Sequence, residues 1–220
     1  VFRLHLAKTN HSAQVMQEIE SLATERNIEI RMHTRVELSR ISKNGRQDQG
    51  VAIDLIAPDY CALEDLPVDT ITPGFEILLL KRITNPQNLG MIIRSVAASP
   101  INGMILPRSG SAAIDPLVFK ASAGTLFNAP IFHCQSTQSA IKFLKDTGIR
   151  ICGLDGKGKI DLADLQQDQP QAIVLGNEST GLSTEVKQAC DLLIKIPMAN
   201  QVESLNVSAA ATLVAFRRII

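Results

Sequence analysis

Short apolar strands that alternate with helices are the feature that most constrains the fold of this chain. From Phe75 onward, six apolar runs of strand length are separated by segments with helical periodicity or by turn residues. These runs are FEILLLKR, INGMILP, APIFHC, IRICGLD, QAIVLG and DLLIKIP. The alternation predicts an α/β domain with a mostly parallel sheet.

The residues before Phe75 predict a second, smaller domain. Residues 1–60 have the pattern strand, helix, strand, short helix, strand, which predicts a small α/β domain. The stretch 58–74 contains three prolines and four acidic residues and has little periodicity, so we predict a linker over 61–73 and the larger domain over 74–220. Because the sequence opens inside a predicted strand, we expect that the natural chain has residues before Val1.

Composition excludes several classes of protein. The formal net charge is zero, so overall charge favours neither a nucleic-acid nor a membrane partner. The four cysteines have no paired spacing, which predicts no metal site, no disulfide framework and a cytoplasmic protein with reduced thiols. No apolar run approaches the ~20 residues that span a bilayer, so we expect no membrane association.

One stretch of the smaller domain is locally basic. Between residues 26 and 46 there are two acidic residues and six basic ones, a balance of +4. The basic residues are Arg26, Arg31, Arg35, Arg40, Lys43 and Arg46. Such a stretch is either a solvated face, which is the more common case, or a surface that binds RNA phosphates.

Three unusual loops follow strands of the larger domain: TNPQNLG, LGNESTGLS and IPMANQVESLN. In parallel sheets, ligands bind beyond the carboxyl ends of the strands, so these loops are candidates for a binding site. The second loop is close to a phosphate-binding loop, but Leu182 occupies the position of the required lysine. No G-x-G-x-x-G follows a strand either, so the common nucleotide-binding motifs are missing.

Five polar residues near these loops have both a structural and a functional interpretation. Arg94 lies within an apolar helix predicted from about Leu89, and a buried charge needs a partner. Asn88, Ser204 and Asn206 precede or begin helices, where N-capping is the simple explanation, although capping does not need both residues of the last pair. Glu178 is either a partner of a helix dipole or a functional carboxylate. The last helix, predicted from near Ser204, is apolar nearly all round and therefore buried or at a subunit interface.

The three loops with their flanking residues resemble the signature motifs of a known family. NPQNLGMIIRS, IVLGNESTGLS and IPMANQVESLNVSAAA are similar, in order and spacing, to the motifs of the SpoU/TrmH methyltransferases. These are RNA ribose 2′-O-methyltransferases of the SPOUT superfamily, and KASAG resembles a further segment of the family. The smaller domain is similar to an RNA-binding domain, like certain ribosomal proteins, that many members carry. Ser179 and Asn200 stand where the family usually has glycine, and asparagine accepts left-handed backbone angles better than most residues.

The resemblance implies a C-terminal trefoil knot that forms an S-adenosylmethionine pocket, and a homodimer with this pocket near the interface. Main-chain groups around five residues would hold the cofactor: Leu175, Gly176, Ile196, Met198 and Leu205. Asn88, Arg94, Glu178, Ser204 and Asn206 match the polar positions around the reacting ribose. Arg94 would then face a closed active site, where it binds phosphate and stabilises the developing alkoxide, since a guanidinium is a poor base.

The function implied by the resemblance is methyl transfer to a ribose 2′-hydroxyl of RNA, with large-subunit ribosomal RNA favoured over tRNA. The smaller domain would select the RNA. One alternative is a catalytically silent RNA-binding or ribosome-assembly factor on the same scaffold. Another is a small-molecule α/β enzyme with a nucleotide cofactor, which the missing glycine motifs disfavour.

Overall fold

The computed structural model describes residues 1–8, 14–43, 45–46, 48–56, 60–177 and 179–219. The chain divides into two compact units, Val1–Asp59 and Tyr60–Ile220. Each unit has its own sheet and its own hydrophobic core.

The described residues of the first unit form a three-stranded sheet and two α-helices. Its elements are β1 (Arg3–Ala7), α1 (Gln14–Glu25), β2 (Glu29–His33), α2 (Arg35–Ser42) and β3 (Val51–Asp54). The central strand β1 is parallel to β2 and antiparallel to β3. Leu4 and Leu6 of β1 pack on Met16 and Ala23 of α1 to form a small core. Thr34 and Glu37 form a capping box that begins α2.

The described part of the second unit forms an eight-stranded sheet in the order β4-β7-β6-β5-β10-β8-β11-β9. Every neighbouring pair of described strands in it is parallel, so the predicted α/β class with a mostly parallel sheet is confirmed. The strands are β4 (Cys61–Ala62), β5 (Glu76–Leu80), β6 (Met104–Pro107), β7 (Ile131–Cys134), β8 (Arg150–Leu154), β9 (Ile160–Asp161), β10 (Gln171–Leu175) and β11 (Leu192–Lys195).

Among the residues that the structure describes, five α-helices cover the two faces of this sheet. They are α3 (Pro86–Ala97), α4 (Pro116–Ala121), α5 (Thr137–Asp146), α6 (Thr184–Ala189) and α7 (Val207–Phe216). One core lies under α3, α4 and α7, and the other lies under α5 and α6. Successive residues of β5 alternate between these cores, as the period of a strand requires.

The linker predicted over 61–73 is wrong. Cys61 and Ala62 form the edge strand β4, which pairs with β7 through Phe132 and His133. Leu63 and Leu66 follow and are buried in the core under α5 and α6. The prolines and acids of this stretch occupy its exposed positions, whereas the pairing that orders it involves a strand about 70 residues later, which local composition does not reveal.

Candidate active site

The beginning of α3 differs from its predicted position. The helix begins at Pro86, not near Leu89, because Asn85 caps it and proline suits the first helical position. The side chain of Asn85 accepts from the backbone N–H of Gln87 at 2.9 Å and of Asn88 at 3.4 Å. Asn88 therefore lies inside the first turn and is buried, so capping does not explain it.

Two asparagines connect the beginnings of α3 and α7. Asn206 Nδ2 donates to Asn88 Oδ1 at 3.2 Å. The Oδ1 atom of the same Asn206 side chain accepts from Ser208 N at 2.9 Å, which caps α7 at Val207. The oxygen of the Asn206 side-chain amide thus caps α7, while the nitrogen of the same amide links α7 to α3 through Asn88. Ser204 lies before the helix, is exposed, and has no side-chain partner among the described residues.

Further contacts hold α3 against α7 along the same seam. Ser95 Oγ and Thr212 Oγ1 share a hydrogen bond of 2.7 Å. One turn earlier, Ser208 Oγ approaches the sulfur of Met91 at 4.0 Å. Because both helices also pack on the buried core, the first turn of α7 has a fixed position relative to Asn88 and Met91.

Arg94 is exposed on the outer side of α3. Its side chain has no ion pair and no hydrogen bond to any described residue, so pairing inside the core does not explain it. The described residues of one chain also do not form the expected closed environment, since neighbouring Met91 is 42% exposed. Ile92, Ile93 and Val96 account for the apolar character of the helix by packing into the core. The rest of the α3 surface also carries small apolar side chains, and the sequence pattern alone does not show that this surface is exposed rather than buried.

The loop after β10 is closed by Asn177. Its Nδ2 atom donates to the carbonyl oxygen of Arg82 at 2.9 Å, and its Oδ1 atom accepts from Ser179 N at 2.9 Å. A Cβ atom on Gly176 would lie 2.3 Å from the carbonyl carbon of Gly181, so only glycine fits at this position. Glu178 lies outside the described residues.

The loop after β11, residues 196–206, contains two residues in the left-handed region. Asn200 has φ +54° and Gln201 has φ +61°. Asparagine tolerates this conformation, which explains how the loop forms without glycine at position 200. The carbonyl oxygen of Glu203 lies 3.9 Å from the position of a Cβ on Gly156, so this loop passes the residues that follow β8.

The main chain of both loops fits the predicted cofactor-binding role. Leu175 is buried, and its carbonyl accepts from Lys81 N at 2.8 Å. The peptide groups of the other four predicted residues have no backbone hydrogen bond to any described residue; these are Gly176, Ile196, Met198 and Leu205. Unpaired donors and acceptors next to exposed apolar side chains are suited to a ligand with polar and apolar parts, as S-adenosylmethionine has.

Two lysines contribute charge near the same edge of the sheet. Lys81 is buried, and burial, followed by the charge of Arg82, lowers its pKa. Lys187 pairs with Asp155 at 2.6 Å just beyond β8. Burial raises the pKa of Asp155, but the hydrogen bonds from Lys187 and from Lys157 N–H outweigh it, so the net shift is downward. This carboxylate is therefore ionised at neutral pH.

Arg82 is a residue of this edge that the sequence analysis did not single out. It follows β5 directly after Lys81, is exposed, and has φ +55°. The sequence signal that could have indicated it is its position just beyond the carboxyl end of an apolar strand, where ligands bind in parallel sheets. Nothing in the sequence indicates a left-handed arginine.

All six basic residues singled out in the first unit are exposed. Arg31 Nε donates to Glu29 at 2.6 Å, and Arg35 lies 3.6 Å from Asp48. The other four have no ion pair with any described residue: Arg26, Arg40, Lys43 and Arg46.

The described residues contain neither a candidate metal centre nor a membrane-spanning helix. No three or more histidine, cysteine or acidic side chains among them are grouped to hold a metal ion. No helix among them has the length and apolar character to cross a membrane.

Comparisons with known proteins agree with this arrangement. The sequence model described as the SpoU rRNA Methylase family matches residues 76–216. An uncharacterised tRNA/rRNA methyltransferase of Mycobacterium leprae is 38% identical over 82% of this chain and 58% of its own length. One of Mycobacterium ulcerans is 34% identical over 96% of this chain and 68% of its own length.

The crystal structure of the SpoU methyltransferase AviRb from Streptomyces viridochromogenes with AdoMet has a TM-score of 0.75 and 26% identity, covering 99% of this chain and 81% of that one. The chain thus spans only part of these proteins, but the match covers most of its second unit, and it belongs to the SpoU rRNA methylase family.

Proposed function

We propose that this chain transfers a methyl group from S-adenosylmethionine to the 2′-hydroxyl of an RNA ribose, and that large-subunit ribosomal RNA is the substrate. The observation that carries the proposal is that Arg94, which is exposed and has no partner among the described residues, lies on the same helix as the buried Asn88, whose side chain is hydrogen-bonded to Asn206 at the beginning of α7. Family membership and the rRNA description of the matching model support it.

When bound, S-adenosylmethionine supplies an electrophilic methyl on its sulfonium sulfur. Transfer would form a bond between the 2′-oxygen and the methyl carbon, break the carbon–sulfur bond to release S-adenosylhomocysteine, and release the hydroxyl proton to solvent, so it depends above all on the alignment of the two groups. The unpaired peptide groups at Gly176, Ile196, Met198 and Leu205 would hold the cofactor.

Arg94 would bind an RNA phosphate and stabilise the charge that develops on the 2′-oxygen. A guanidinium stays protonated at neutral pH, so the residue acts as a cation and hydrogen-bond donor rather than as a base. The Asn88–Asn206 pair and the nearby Ser204 would orient the ribose, since they supply uncharged donors and acceptors at the beginnings of two fixed helices. Glu178 stays a proposed member of this set.

A homodimer would enclose the site, which the described residues of one chain leave open. Met91, Met198, Val202 and Leu205 are 37–52% exposed and belong to α3 and to the loop that leads into α7. A second copy seated on this surface would cover them and exclude water around Arg94. The trefoil knot is proposed with it, supported by the docking of α7 on α3 and on the start of β5.

We further propose that the first unit binds RNA through the basic residues without ion pairs. Charge reversal at Arg40 and Lys43 is expected to weaken RNA binding and to lower the salt slope by about 0.7–0.9 for each lost phosphate contact. Reversal at Arg31, which forms an ion pair with Glu29, is the matched control and should have a smaller effect. If reversal at Arg40 and Lys43 weakens RNA binding no more than reversal at Arg31 does, or has no effect, the basic stretch is a solvated face and not an RNA-binding surface.

The activity is tested with the purified protein, S-adenosylmethionine with a labelled methyl group, and unmodified large-subunit ribosomal RNA or tRNA transcripts. We expect a 2′-O-methylnucleoside in digests of the ribosomal RNA, identified by mass spectrometry as carrying the label on ribose. A label on a base, or no calorimetric binding of the cofactor at millimolar concentration, would overturn the proposal. Cofactor and RNA binding without transfer would favour the silent assembly factor, and transfer to tRNA alone would correct the substrate.

A further inference from the structure

Two arginines at the carboxyl edge of the sheet have no assigned role. Arg82 and Arg108 lie three residues beyond Leu79 and Ile105, which are paired neighbours in β5 and β6. Both side chains are exposed, and neither has an ion pair or a side-chain hydrogen bond to a described residue. Two guanidinium groups without a partner among the described residues thus follow the carboxyl ends of two paired, adjacent strands.

Arg82 is held by both neighbouring loops. Its carbonyl accepts from the side chain of Asn177 at 2.9 Å, which ties it to the loop that contains Glu178. Its Cγ atom lies 3.3 Å from the position of a Cβ on Gly110, so the alkyl stem packs on the loop after β6. The conformation of Arg82, φ +55°, is one that arginine rarely adopts, and these contacts keep the residue next to the candidate active site.

The loop after β6 also contains an unsatisfied polar atom. Ser111 Oγ is buried and has no hydrogen-bond partner among the described residues. The loop itself is fixed, because Ala112 N donates to Ile83 O at 2.8 Å and Arg108 N donates to Cys134 O at 2.9 Å. Buried hydroxyls without partners are uncommon, and this one lies one residue from the surface on which Arg82 packs.

A cavity of about 580 Å³ opens beside Arg108. Its polar lining consists of Glu64, Arg108, Ser109, His133 and Gln135. His133 Nδ1 is 3.1 Å from Leu106 O, so it carries the proton and Nε2 is an acceptor. Burial lowers the pKa of His133 and, with the smaller effect of the Arg108 charge, outweighs the hydrogen bond to Leu106 O, which raises it, so the imidazole is neutral at neutral pH. This mixture of donors and acceptors suits the edge of a nucleobase better than a phosphate alone, and the volume is in the range of small-ligand pockets.

We propose that this cavity binds the base of an RNA nucleotide that flanks the methylated one, with the backbone phosphate on Arg82 and Arg108. The inference rests on the proposed function, because it places this nucleotide next to the ribose that reacts. The loop 108–112 joins the cavity to Arg82, and Asn177 joins Arg82 to the second motif. Glu64 lines the cavity, so the negative phosphate is assigned to the two arginines: Arg108, which also lines the cavity, and Arg82, which does not.

The test compares Arg82→Asn and Arg108→Gln with Lys142→Gln, an exposed lysine of α5 that serves as the control. Asparagine is chosen at position 82 because it tolerates positive φ. Affinity for unmodified large-subunit ribosomal RNA is measured by fluorescence anisotropy at several salt concentrations. Calorimetry with S-adenosylmethionine and thermal unfolding report on the rest of the site.

Each arginine variant is expected to bind RNA about tenfold more weakly, with a salt slope lower by about 0.7, while cofactor affinity and melting temperature match the wild type. Gln135→Ala should weaken RNA binding with an unchanged salt slope, since it removes a base contact. Variants that bind RNA as the control does would overturn the proposal, even where the wild type methylates ribose. A wild type that binds RNA but transfers no methyl overturns the proposed function instead, and the variants still decide the role of the cavity.

Discussion

Removal of Arg217 is expected to destabilise the second unit strongly, because this residue holds the end of α7 against the start of β5. Its guanidinium donates to both carboxylate oxygens of Glu76, at 2.8 and 2.7 Å, and to Leu165 O at 3.0 Å. The two side chains are only 5% and 2% exposed. Arg217→Ala therefore leaves a buried carboxylate without its cation.

The magnitude follows from this burial. Loss of one partner of a buried pair costs about 3–5 kcal/mol, whereas replacement of both partners by apolar groups of similar size is often close to neutral. We therefore expect Arg217→Ala to lose about 3–5 kcal/mol and Arg217→Met with Glu76→Leu to recover most of it. The pair between Lys145 and Asp191 is the control: it is 2.9 Å long but about 40% exposed on both sides, so Lys145→Ala should cost about 0.2–1 kcal/mol.

The assay is urea unfolding followed by far-UV circular dichroism, because the chain has no tryptophan. Hydrogen exchange of β5 and α7 assigns the change to the second unit, since two units need not unfold together. A loss for Arg217→Ala that equals the loss for Lys145→Ala would refute the reasoning. So would a double variant that is no more stable than Arg217→Ala.

Two further predictions concern the loops that would hold the cofactor. Gly176→Ala places a Cβ 2.3 Å from the Gly181 backbone, so calorimetry should show at least about tenfold weaker binding of S-adenosylmethionine; wild-type affinity would mean that this loop does not form the pocket. Asn200→Val forces a branched side chain into φ +54° and should weaken cofactor binding, whereas Asn200→Gly should preserve or strengthen it; the reverse order in calorimetry would contradict the role assigned to this conformation.

The α/β class and the cluster of loops were predictable, because short apolar runs between helices and the direction of parallel strands are local properties of the sequence. The beginning of α3 was also recoverable, since Asn85-Pro86 is a strong start signal. The contact that Asn88 makes could not be predicted, because its partner Asn206 lies 118 residues later. The same holds for Cys61–Ala62, whose strand character depends on pairing with β7.

The exposure of Arg94 shows a different limit of sequence reasoning. Helical periodicity predicts which residues are apolar, but it does not say whether the helix faces the core, a second copy or solvent. Arg82 was missed because its importance lies in a backbone conformation and in contacts with Gly110 and Asn177. Neither the backbone conformation of Arg82 nor these contacts can be predicted from the local sequence.

The role of Arg94 is tested most directly by single-turnover methyl transfer to ribosomal RNA with the wild type, Arg94→Lys and Arg94→Ala. We predict that Arg94→Ala lowers the rate by about 10²- to 10³-fold, as loss of a donor at a developing oxyanion does, with unchanged cofactor affinity and melting temperature. Arg94→Lys should retain part of the rate, because it keeps the positive charge without the planar donor pair. Wild-type rates in Arg94→Ala would contradict the assignment of this residue to the reacting ribose.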